Sequence, residues 1–176
     1  MKDLLKTAYY KFSKKGRLSK YNLKLGYIIH TEKIYDDQLF EQLLTFCKRY
    51  FEITKTKAIC AVIPPTSARL NLEIQENNFS NEDFIERIIE LSNYATIGYH
   101  GHFYLGKNAN FKDAIHSNSF SMSDLTKQFK EDIDWFEKSN ISHNNIYSGG
   151  WWCMNEYLIS LLINYGFQYD FTFSKA

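Results

Sequence analysis

Residues Ala95 to Tyr104 read Ala-Thr-Ile-Gly-Tyr-His-Gly-His-Phe-Tyr, an apolar run that stops at two histidines. Imidazoles at the tip of a strand suit a metal ion or a proton transfer, because a neutral ring offers a lone pair near physiological pH. His100 and His102 stand two residues apart, so in extended chain both project to one side. His30 and Glu32 close an earlier apolar run with the same spacing. In a parallel sheet all four would lie at one end. A glutamate with two neutral imidazoles is an accepted zinc set, and a hydrolytic site adds an open position for water and a nearby acid or base. The competing reading makes the histidines solvated loop residues and Glu32 a surface carboxylate that caps the following turn.

Other candidates carry a plainer explanation beside the chemical one. Asp36 and Asp37 open a helical segment, where capping and the helix dipole account for adjacent acids. His116 sits in a long connection and could fold over the site or face solvent, and His143 in a Ser-His-Asn-Asn turn reads as structural. Trp151 and Trp152 follow two glycines. Large rings there can line a cleft against the C–H faces of sugars, or supply buried area to the core.

The elements that must position these residues alternate. Leu25 to Ile29 reads as a first strand, followed by a helix opening near Asp36 with Leu39, Phe40, Leu43, Leu44, Cys47, Tyr50 and Phe51 at spacings of three and four. Lys57 to Ile63 is a second strand that Pro64 and Pro65 end, with a polar loop after it. Ser80 caps a helix whose stripe is Phe84, Ile85, Ile88 and Ile89. Ala95 to Tyr99 is the third strand, and the connection from His100 to Met122 is longer than the usual 2 to 6 or so residues, which marks it as a functional loop or a poorly ordered one; the histidines at its start favour function. Ser123 is expected to cap a helix carrying Leu125, Phe129, Ile133 and Phe136. A short strand from Ile146, a helix starting at Asn155 and ending at Gly166, and a fifth strand over Phe167 to Phe173 follow. Strand-helix alternation predicts an α/β fold: a parallel sheet or an incomplete barrel of βα units, whose last strand leaves an open edge.

The chain of 176 residues, 44% hydrophobic and 17% aromatic, can bury one domain core. Residues 1–20 form a basic arm in which Lys2, Lys6, Lys11, Lys14, Lys15, Arg17 and Lys20 face only Asp3, while residues 21–176 form the domain. The arm reads as a solvated extension or as a contact for an anionic membrane surface or acidic glycan carrier. A net charge of +1 gives no reason to expect nucleic acid. With neither a membrane-span pattern nor a secretory signal, a cytoplasmic location is expected. Cys47, Cys60 and Cys153 form no CxxC pair, so neither a disulfide framework nor a cysteine zinc site is indicated; the first two read as small core residues.

The order of these segments resembles the polysaccharide deacetylase family, the NodB-homology domain of carbohydrate esterase family 4, from about Leu25 onward. The resemblance rests on the strand ending in an acidic segment, on Ala58 to Ile63 with Pro64 and Pro65, on Ile97-Gly98-Tyr99-His100-Gly101-His102, on Tyr147-Ser148-Gly149-Gly150-Trp151-Trp152, and on Leu161 to Asp170. It implies a distorted (β/α) barrel, apparently incomplete, that removes acetyl groups from glycans with a divalent cation, commonly zinc, held by an aspartate and two histidines. His100 matches the first family histidine. The second is expected where this chain has Tyr104, so His102 substitutes. Glu32 matches the first motif by position and Asp36-Asp37 by residue type. The third motif's arginine falls near Ser148, and the last catalytic histidine has no counterpart. The implied roles are His100, His102 and Glu32 on the metal, Glu32 as ligand or base, and Tyr104, His116, Trp151 and Trp152 toward an acetylated sugar of cell-surface glycan metabolism. The alternative implied by the departures is a degenerate, glycan-binding member or a fragment.

Overall fold

The structure, a computed structural model, describes residues 26–103, 121–150 and 154–172. Strands β1 (Ile28–Thr31), β2 (Ala58–Val62), β3 (Ala95–Gly101), β4 (Ile146–Gly149) and β5 (Tyr169–Asp170) alternate with helices α1 (Asp37–Thr54), α2 (Ala68–Glu76), α3 (Asn81–Ser92), α4 (Met122–Lys138) and α5 (Glu156–Asn164), with α2 and α3 both between β2 and β3. The sheet is parallel throughout, in the order β1-β2-β3-β4-β5. Each connection steps to the next strand in the same direction, and crossovers of the usual right hand then place the helices on one face of the sheet.

Local chemistry sets the helix limits. Asp36 accepts from Leu39 N at 2.9 Å and caps α1, and Lys55, at φ 57°, ends it. Ser80 accepts from Asp83 N at 2.9 Å, Ser121 from Asp124 N at 3.1 Å and Asn155 from Leu158 N at 2.9 Å. Each bond satisfies an amide that the first turn leaves without a partner. Gly166, at φ 77°, follows α5, a conformation other residues adopt at a cost. Ser121, not Ser123, therefore opens α4.

Three further boundaries differ from expectation. Hydrogen bonding moves β1 two to three residues later than Leu25 to Ile29, which brings Thr31 into the ladder. The segment after Pro64 and Pro65 is a helix, α2, because Leu70 and Ile74, one turn apart, bury against the core. The fifth strand shrinks from Phe167–Phe173 to Tyr169–Asp170, with Phe173 outside the described residues. Tyr169, on this last strand, is 56% exposed, as an edge position should be.

The core lies between the sheet and the helices. Tyr99 is fully buried and meets Phe129, Phe136 and Tyr147 edge-on at 5.3 to 5.9 Å between ring centroids. Burying one such side chain contributes roughly 1.5–3 kcal/mol. Cys47 of α1 and Cys60 of β2 are buried with their sulfurs 3.7 Å apart, as small core residues.

On the opposite face the sheet is curled. A flat sheet would hold β1 and β4, three spacings apart, at about 14 Å. Yet His30 Nε2 of β1 lies 2.8 Å from Ser148 Oγ of β4. Ala61 and Gly98 occupy the row beside His30, and their small size leaves the concave face open for that reach. The architecture is thus an α/β fold with a curved parallel sheet, compatible with part of a barrel.

Candidate metal centre

The C-terminal ends of β1 and β3 gather the titratable groups. One ligand atom each from Glu32, His100 and His102 lies within 4.8 Å of the others. Glu32 follows β1 directly and is exposed, whereas His100 and His102 are 1% and 5% exposed. The period-two relation holds through the end of β3, so both imidazoles face the concave side.

The two histidines are held differently. His100 Nδ1 lies 2.7 Å from the Ser148 carbonyl oxygen, which can only accept, so Nδ1 carries the proton and Nε2 the lone pair. Burial pushes the His100 pKa well below its ordinary value, and the neighbouring His102 and His30 push the same way. The ring is therefore neutral at pH 7. His102 Nε2 lies 3.0 Å from His100 Nε2, with the rings nearly perpendicular at 83°. With the His100 lone pair on Nε2, His102 Nε2–H donates this bond; two nitrogens on one tetrahedral zinc are about 3.3 Å apart, so a cation taking that proton's place needs little movement of the rings. A carboxylate beside them completes a three-donor set with room for a fourth ligand, which fits a divalent cation.

Surrounding residues shape this cluster. Gly150 lies against His102 so closely that a β-carbon would fall 2.4 Å from Cδ2. Gly150 thus provides the close approach that the two glycines in sequence suggest. Ser67, at the start of α2, is buried and its hydroxyl makes a long 3.5 Å contact with the His102 carbonyl. Beside the cluster is a cavity of about 20 Å³ lined by Glu32, Lys33, Ile63, Ser67, Leu70, Glu73 and His102. It has room for about one water.

Asp36 and Asp37 are placed elsewhere in function: the first caps α1 and the second pairs with Arg87. Of the three acids near the end of β1, Glu32 is therefore the one beside the imidazoles. His143 stacks on Phe167 at 4.6 Å and accepts from Asn145 N, a structural role. Tyr104, His116, Trp151, Trp152, Cys153 and the basic arm lie outside the described residues.

Ser148 matters more than its sequence suggests, since its hydroxyl meets His30 while its carbonyl meets His100. Asp132 is a second residue the sequence reading passed over. It is fully buried in α4 and accepts from Tyr99 Oη at 2.7 Å and from Thr66 Oγ1. Burial raises its pKa to about 7, against the opposing pull of those two hydrogen bonds. A signal existed: Asp132 falls three residues after Phe129 and four before Phe136, on the apolar stripe itself.

Among the described residues no helix is long and apolar enough to cross a membrane. Comparison with models of protein families, with curated proteins and with solved structures finds no match to this chain.

Proposed function

We propose that the chain is a metal-dependent hydrolase of the polysaccharide deacetylase type, removing an acetyl group from a sugar nitrogen in cell-surface glycan metabolism. The observation that carries this reading is the convergence of Glu32, His100 and His102 at the C-terminal end of a curled parallel sheet. Such a sheet end is where folds of this class place ligands. A bound divalent cation, zinc by its donor set, would acidify a water and polarise the acetyl carbonyl. His100 and His102 would hold it through Nε2, and Glu32 would complete the set or accept the proton of the attacking water. Water adds across the amide, the C–N bond breaks, and acetate and the free amine leave. Tyr104, His116, Trp151 and Trp152 are the proposed contacts to the glycan. The basic arm resting on an anionic membrane surface belongs to the same proposal.

Zinc titration by calorimetry of the folded chain, with acetate release from an acetylated chitooligosaccharide, tests the proposal. Near-stoichiometric binding and release, both lost in His100→Ala, support the hydrolase. Glycan binding without release replaces it by a non-catalytic glycan-binding member. The departures at Tyr104 and Ser148 favour that second reading, because residues that act as a unit are not independently dispensable.

A further inference from the structure

His30 belongs to none of the donor sets above, yet it is joined to both sides of the cluster. Its ring stacks on that of His100, with centroids 4.1 Å apart and planes 26° from parallel. Its Nε2 lies 2.8 Å from Ser148 Oγ, and the carbonyl of the same Ser148 holds His100 Nδ1 at 2.7 Å. His30, Ser148 and His100 therefore form a closed triangle of contacts from β1, β4 and β3. Glu32 lies two residues beyond His30, directly after a strand whose described pairing partner is β2 alone. What brings its carboxylate toward the imidazoles is the curl of the sheet, and His30 ties β1 across that curl.

We propose that His30 is a positioning residue for the metal centre, fixing the ring plane of His100 by stacking and holding Glu32 within reach through its bond to Ser148. The proposal rests on the reading of Glu32, His100 and His102 as a metal centre. A ligand imidazole rotates about two side-chain torsions. The Ser148 carbonyl restrains one edge of the His100 ring, and the flat His30 ring restrains its face. Partners that orient a ligand in this way are commonly worth 10- to 100-fold in metal affinity. His30→Ala removes both contacts; His30→Phe keeps a ring to stack and loses the bond; Ser148→Ala loses the hydroxyl and keeps the carbonyl.

Two measurements on the full chain decide it. In the metal-free protein, long-range proton–nitrogen correlation spectra of the imidazoles report the His100 tautomer, which is Nδ1–H in the wild type. In parallel, a chromophoric chelator competes for zinc. The expectation for His30→Ala is a His100 that keeps Nδ1–H on the Ser148 carbonyl while its ring resonances shift and broaden with loss of the stacked face, and zinc affinity lower by about 10-fold or more. His30→Phe should fall between it and the wild type. Unchanged His100 signals together with unchanged affinity in His30→Ala would overturn the proposal. Should His30→Ala fail to fold, Ser148→Ala decides by the same two readouts. A wild type that binds no zinc sinks the metal reading itself, and the metal-free spectra then judge by themselves whether His30 orients His100.

Discussion

Gly150 and His102 are packed in direct contact, the glycine's α-carbon standing where any side chain would enter the imidazole ring. The contact joins the residue after β4 to the residue after β3 and closes that side of the His102 ring. Gly150→Ala must therefore move either the loop or the ring. Overpacking of this kind costs about 1–3 kcal/mol of stability. The specific expectation is a fall in zinc affinity of about 10-fold or more, as for loss of a residue that orients a ligand. Chelator competition reads it, and wild-type affinity in a folded Gly150→Ala chain would show that His102 is not held by this contact.

Glu32 and Asp36 separate cleanly by substitution. Glu32 is exposed and caps no helix among the described residues, so Glu32→Gln should change unfolding by no more than about 0.5 kcal/mol while weakening zinc by at least about 10-fold. Asp36 is the α1 cap, so Asp36→Ala should cost about 1 kcal/mol and leave zinc affinity alone. Urea unfolding of the metal-free variants and zinc titration of each give a two-by-two result. The reverse pattern would make Asp36, not Glu32, the acid of the metal centre.

Asp132 makes stability depend on pH in an unusual direction. Its carboxyl titrates near 7 in the folded chain against an ordinary 3.8, because burial penalises the charge. The folded state thus holds a proton that the unfolded chain releases at lower pH. This group's contribution is fully present below about pH 3.8 and is lost as pH rises toward 7, a difference of order 4 kcal/mol at most. His100 works in the opposite sense, since its lowered pKa costs stability as pH falls below its ordinary value. The two are separated by comparison with Asp132→Asn, which cannot titrate. Between pH 5 and pH 8 the wild type should lose stability relative to Asp132→Asn, by roughly 1–4 kcal/mol in urea unfolding. Parallel pH curves for the two proteins would mean that Asp132 is charged in the fold.

Much of the scaffold was legible because its signals are local. Asp36 and Ser80 cap the helices they were expected to cap, Asn155 caps the one it was expected to start, and a cap needs only its own next three residues. The alternation of apolar runs with helical stripes predicted a parallel sheet, and the two-residue spacing of His100 and His102 predicted one shared side. The first of the two helices after β2, α2, was not legible. Its stripe consists of Leu70 and Ile74 alone, in a polar stretch following two prolines, and it becomes a helix because those two residues find the core.

The sequence by itself determined the order of elements, their caps and the gathering of histidines and an acid at strand ends, since each depends on neighbours within about one helical turn or two strand positions. Only the tertiary structure decided which of those groups meet. The choice of Glu32 over Asp36, the stacking of His30 on His100, the double contact of Ser148 and the place of Asp132 all join residues far apart in the chain. Those contacts depend on how strongly the sheet curls, and curvature is the summed result of packing across every strand and helix, with no short motif to announce it.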